Sequence, residues 1–146
     1  MPGRPAFGTT GRMRYGADMS PGLQRTLLVA LGGLVGSVAR YWLGGAVQRL
    51  GGDVFPAGTL AVNVLGSLFI GLVMTLSLER GLVNDDTRIL LTTGFCGGFT
   101  TMSTFSWETL ALLREDQWLL ALANTSATLL VCLVAVWLGI VAARAL

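Results

Sequence analysis

The chain has no histidine and no lysine; its ten basic residues are all arginines, set against eight carboxylates for a net charge of +2. Charged residues occupy only 12% of 146 positions, about half the share of a soluble domain. These shortages exclude several classes of function. Without histidine there is no Ser-His-Asp set and no imidazole metal site. The two cysteines, Cys96 and Cys132, stand singly in separate apolar stretches. They read as small hydrophobes rather than as a disulfide or redox pair. A near-neutral balance gives no case for nucleic acid. No phosphate-cradling loop and no pair of carboxylates within an apolar run is present, so enzyme chemistry has little to stand on. Apolar residues make up 53% of the chain, more than a single small domain can hide from water, and the solvent is therefore lipid.

Residues 1–22 are rich in Gly, Pro, Arg and Met and show no hydrophobic period, and the first apolar run, from Leu27, has no Ala-x-Ala-like cleavage site after it. The 1–22 stretch reads as a disordered tail. Met19 offers a second start, so residues 1–18 are expected to be an extension, and residues 23–146 to form the membrane domain. Four spans follow at residues 25–47, 57–78, 87–113 and 118–143, each near the roughly 20 residues that cross a bilayer. The connections are short and polar, which makes each span the antiparallel neighbour of the next. An even number of spans puts both ends on one side. That side holds Arg25, Arg80, Arg88 and Arg144, against Arg40, Arg49 and Arg114 toward the other. Four against three is a negligible positive-inside bias, and a chain without one is free to insert both ways and pair with an inverted copy.

The third span is poor helix material. Residues 92–106 contain three glycines, five threonines and two serines and carry no charge. Non-helical backbone at membrane depth is tolerated only where protein buries it or where it lines a watery path. Two polar stripes accompany this stretch. Thr59, Asn63 and Ser67 recur every four residues in the second span, as do Asn124, Thr128 and Cys132 in the fourth. A four-residue step keeps such residues on one slanted helix face. Taken alone, each stripe is ordinary interhelical hydrogen bonding; taken together beside a broken helix, they equally suit a shared polar path. Gly32 with Gly36, and Gly94 with Gly98, have the spacing that lets helices approach closely, which concerns packing and not chemistry. Arg40 lies near the end of the first span, placed either to snorkel to headgroups or to draw an anion into a vestibule. Glu108 has a similar choice between an interfacial, structural place and tuning vestibule charge.

Gly94-Phe95-Cys96-Gly97-Gly98-Phe99-Thr100-Thr101-Met102-Ser103-Thr104-Phe105-Ser106 resembles the signature of the fluoride channels called Fluc or CrcB. Three further runs agree: Gly32-Gly33-Leu34-Val35-Gly36-Ser37-Val38-Ala39-Arg40-Tyr41, Pro56-Ala57-Gly58-Thr59-Leu60-Ala61-Val62-Asn63, and Ala135-Val136-Trp137-Leu138-Gly139. The resemblance covers residues 25–143 in order. It implies an all-α membrane protein with four transmembrane helices, the third broken mid-membrane. It also implies an antiparallel, dual-topology homodimer in the bacterial inner membrane with two fluoride pores. One structural sodium ion would lie at the dimer centre, held by the main-chain carbonyls of Gly97 and Thr100. Met102 and Phe105 correspond to the pore phenylalanines, with Ser103 and Thr104 in the adjoining polar track. Asn63 corresponds to the second-helix pore asparagine, Thr128 to the fourth-helix hydroxyl, and Arg40 and Glu108 to vestibule charges. Two residues depart from the pattern: Met102 replaces an aromatic edge with a thioether, and Cys132 stands where a hydroxyl is common.

A small dual-topology multidrug or guanidinium exporter is the alternative, but it calls for a carboxylate inside the first span, and none is there. A membrane subunit without transport activity would leave the aligned stripes without a purpose.

Overall fold

The computed structural model describes residues 20–146, so the part of the expected tail over 1–19 lies outside the described residues. Every regular element among those residues is helical. Helix α1 (Pro21–Gly51) starts earlier than the sequence suggested, within the last residues assigned to the tail. Ser20 is its cap, accepting the Leu23 N–H at 3.3 Å, and Pro21 supplies a fixed φ where no N–H is needed. Helix α2 (Ala57–Leu78) opens directly after Pro56.

The third stretch is built in pieces. Helix α3 (Asp85–Ile89) is capped by Asn84, which accepts the Thr87 N–H at 2.8 Å, and carries Asp85 and Asp86 in its first turn, where the helix dipole favours them. It passes into a π-helical segment (Leu90–Cys96) and a short helical turn, α4 (Gly97–Phe99). Thr100 (φ −92°, ψ 161°) and Thr101 (φ −152°, ψ 113°) are extended. Helix α5 (Met102–Arg114) then resumes, and α6 (Trp118–Ala145) completes the chain. Three helices, α1, α2 and α6, are each long and apolar enough to cross a membrane. No uninterrupted helix of that kind covers residues 87–113.

Close backbone contact holds the bundle together. Helix α2 packs most extensively on α6, and the crossing is made of glycine. A Cβ at Gly71 would strike the Val136 carbonyl oxygen, and one at Gly139 would strike the Leu68 carbonyl oxygen and lie 2.8 Å from the Leu72 nitrogen. The two glycine pairs singled out by spacing meet each other in the same manner. Gly32 lies against Gly94, and Gly36 against the backbone of Phe95 and Phe99, so α1 seats directly on the π-helical segment and α4. Gly139→Val is therefore expected to force the α2–α6 crossing apart. Overpacking of this kind costs about 2 kcal/mol, and thermal unfolding in detergent should show a lowered midpoint.

Charged groups gather at the helix ends. At one end Arg144 grips Glu79 with two hydrogen bonds of 2.8 and 2.9 Å, and Arg80 donates to the Arg144 carbonyl at 3.0 Å. The hydrogen bonds from Arg144 hold the Glu79 carboxyl below its ordinary value. Arg25 pairs with Asp86 at the same end. Between the ends the outer faces of α1 and α6 expose Leu34, Val35, Leu130 and Leu133, as a surface facing hydrocarbon would.

Candidate functional site

The interruption at Thr100 and Thr101 would leave backbone groups without partners in a region where nothing else could satisfy them. Thr100 retains a helical bond, its N–H donating to the Cys96 carbonyl at 2.9 Å, and its hydroxyl donates to the same oxygen at 3.0 Å. Thr101 is satisfied from another helix. Asn63 accepts the Thr101 N–H on Oδ1 at 2.8 Å and donates from Nδ2 to the Thr101 carbonyl at 3.2 Å. One buried amide thus replaces both bonds that a continuous helix would have supplied to this residue. Thr101 in turn caps α5. Its hydroxyl accepts the Thr104 N–H at 3.2 Å and donates to Thr104 Oγ1 at 2.9 Å.

This pattern sets the polarity of the site. Thr104 Oγ1 already accepts from Thr101, so its own proton is left to serve another acceptor. Ser103 Oγ lies 3.3 Å from the Thr101 hydroxyl, on the exposed side of α5. Because the Thr101 N–H goes to Asn63, it does not go to the carbonyl four residues back, that of Gly97, and the space beside Gly97 is open. The Thr100 carbonyl receives one long hydrogen bond of 3.4 Å from Arg40.

Two cavities meet at Thr101. One has two adjoining lobes, of about 310 and 470 Å³, that share Gln48 and Glu108; the larger takes in Arg40, Thr59, Thr104 and Glu108. The other, of about 360 Å³, takes in Asn63, Ser67, Thr100, Met102, Thr128 and Cys132. Thr101 lines the larger lobe of the first and also the second, so the Asn63–Thr101 pair stands between them.

Most of the residues singled out in the sequence fall into two groups, while Gly97 and Ser103 line neither cavity. Asn63, Met102 and Thr128 come together in the second cavity, and the Thr128 hydroxyl is buried without a protein partner. Arg40, Thr104 and Glu108 come together in the first. Arg40 and Glu108 make no ion pair; Glu108 Oε1 instead accepts from the Thr59 hydroxyl at 2.9 Å. Phe105 joins neither group, its ring being buried in the single chain, while Met102 is 66% exposed. The sequence reading missed Thr101, which is the hub of the hydrogen bonds. Its signal was available: a threonine three residues ahead of Thr104 at the start of a helical segment is a capping pattern. Also missed was the bond of 2.9 Å from Asn124 to Thr109.

Neutral amide and hydroxyl groups gather between two cavities at a helix interruption, inside a bundle whose long apolar helices mark a multi-pass membrane protein. Residues 27–140 match the family described as "CrcB-like protein, Camphor Resistance (CrcB)". Among similar proteins, one from Geobacter sulfurreducens is 51% identical over 120 residues, covering 82% of this chain and 97% of that protein. Another, from Geotalea uraniireducens, is 48% identical over 124 residues, or 85% and 100% of the two chains. A third, from Pelobacter propionicus, is 48% identical over 85% and 96%. Each is named "Fluoride-specific ion channel FluC". The chain belongs to the CrcB family, and it is a multi-pass integral protein of the bacterial membrane.

Proposed function

We propose that the chain is a fluoride-selective channel of the bacterial inner membrane, an ion conduit and not an enzyme, that lowers cytoplasmic fluoride by passive export. The observation that carries this reading is the Asn63–Thr101–Thr104 cluster: neutral donors between two cavities, in a chain about half identical to proteins named for fluoride conduction. Fluoride is small and strongly hydrated, so a pore must replace its water with donors while binding it weakly enough to let go. Hydroxyl and amide groups do this; an arginine fixed in the narrowest part would trap the ion. Thr104, with its proton free, and Ser103 offer such donors, and the partnerless hydroxyl of Thr128 offers another. Arg40, held to one side by the Thr100 carbonyl, draws anions into the first cavity without standing in the path.

In this reading the third span is a helix broken mid-membrane, and two copies pair as an antiparallel, dual-topology homodimer with two pores. Met102 and Phe105 line the passage in the dimer, and Asn63 both secures the break and presents its remaining N–H to it. The backbone at the break also suits a structural sodium ion. The Thr101 N–H that a continuous helix would have given to the Gly97 carbonyl goes to Asn63 instead, and the Thr100 carbonyl receives one long hydrogen bond. These two oxygens from each copy would hold the ion, which supplies positive charge against their mutual repulsion. Export needs no further machinery. Hydrogen fluoride crosses membranes as a neutral acid and dissociates in the more alkaline cytoplasm, and the negative-inside potential drives the anion out through an open pore.

Liposomes containing the purified protein should release fluoride, measured with a fluoride electrode, once a potassium ionophore relieves the charge imbalance. Absence of fluoride release, with proton-coupled movement of an organic cation in its place, would overturn the reading in favour of an exporter.

A further inference from the structure

Asn124 is the most deeply buried polar side chain among the described residues, with 1% of its surface exposed. It lies on the face of α6 that also buries Ala121 and Thr128. A side chain that polar has no business in an apolar contact unless it holds something. Its Nδ2 donates to Thr109 Oγ1 at 2.9 Å, and the Thr109 hydroxyl donates in turn to the Phe105 carbonyl at 2.8 Å. A threonine bonded to the carbonyl four residues back is common in membrane helices. Here, however, the threonine's own hydroxyl oxygen also accepts a bond from α6. Among the described residues this is the one side-chain hydrogen bond between α5 and α6.

The reason for such a bond lies in the interruption. An uninterrupted helix has its height and rotation fixed by the turns before it. Helix α5 starts afresh at Met102, after two extended residues, so contacts with its neighbours must set both. Its ties to α2 run through Asn63 and Thr101 at its start and through Thr59 and Glu108 further along. On the α6 side the tie ends on the backbone of Phe105.

We propose that Asn124, acting through Thr109, is a positioning residue that fixes the height and rotation of α5 against α6, and so places Phe105 relative to Thr128 in the passage. This rests on the fluoride-channel reading, because its consequence is selectivity. With the relay intact, the Phe105 ring edge and the Thr128 hydroxyl are held at a separation suited to a small anion. With it cut, α5 can slide or turn, and the passage admits larger anions.

The test is a double-mutant cycle on the ratio of fluoride to chloride flux from liposomes, using Asn124→Leu and Thr109→Val. Both replacements keep volume and remove the polar link. Each alone should lower the ratio about fivefold, the rate equivalent of one interhelical hydrogen bond. The double variant should be no worse than either single one. Thr109→Ser, which keeps the hydroxyl, should hold the ratio near wild type. Lowered thermal stability with an unchanged flux ratio, or effects that multiply in the double variant, would overturn the proposal. Should Asn124→Leu fail to fold, the contrast between Thr109→Val and Thr109→Ser decides alone: equal ratios overturn it. A wild-type protein that passes no fluoride would instead count against the channel reading itself.

Discussion

Phe105→Ile is expected to slow fluoride efflux by roughly tenfold or more while leaving the fold and the assembly intact. An aromatic ring presents a partly positive edge, and the edge contacts of aromatic pairs are worth about 1 kcal/mol. Isoleucine keeps the bulk and removes the edge. The contrast in burial sharpens the test. Phe105 is buried in the single chain, so the change also disturbs packing, at a cost on the order of 1–2 kcal/mol. A purely structural role would therefore lower the unfolding midpoint and spare the flux per folded protein. A role at the passage would lower the flux per folded protein as well, and flux normalised to folded protein in liposomes separates the two. Unchanged flux would remove Phe105 from the conduction path. Met102, in the corresponding place one turn earlier, offers only a polarizable thioether, so the chain is left with Phe105 as the aromatic of that pair.

The helices of this protein were largely legible in its sequence because their limits are chemical. Helix α2 spans the residues expected of it, bounded by Pro56 and by the first charge at Glu79. Helix α6 starts where the Glu115-Asp116-Gln117 turn ends, Asp116 taking a positive φ of 58°. The start of α1 lies inside the 22 residues whose composition reads as tail, because what starts the helix is two residues only, a serine cap followed by a first-turn proline. The site was legible as a neighbourhood but not as a set of bonds. Composition drew attention to residues 92–106, yet any of several threonines and glycines there could have left the helix. What selects Thr101 is Asn63, 38 residues away in sequence, whose amide arrives at that height only because α2 packs where it does. The same holds for Glu108. Its partner Thr59 belongs to the stripe that spacing revealed, but no periodicity in one helix states which residue of another it will meet. Long-range pairing is a property of packing, and packing is set here by glycine contacts whose depth a sequence does not express.

Asn63→Leu should be the most damaging single substitution at the interruption, and its two effects should appear together. The resemblance to the fluoride channels implies that Asn63 is a donor to the passing ion. The hydrogen bonds give it an earlier duty, since Oδ1 and Nδ2 are both engaged by the backbone of Thr101. Leucine has nearly the same volume and neither bond. It would leave a buried N–H and a buried carbonyl without their protein partner, at about 1–3 kcal/mol each. The cap at Thr101 depends on that residue staying extended, so the loss should spread into the first turn of α5. Three measurements follow: a sharply lowered unfolding midpoint, faster amide exchange at residues 101–105, and fluoride efflux near background. If Asn63 served only the ion, efflux would fall while midpoint and exchange held steady. If it served only the backbone, flux per folded protein would recover at low temperature, where the break is held together. The two cavities share Thr101, whose backbone this one amide holds, which makes its loss a failure of structure and of conduction at once.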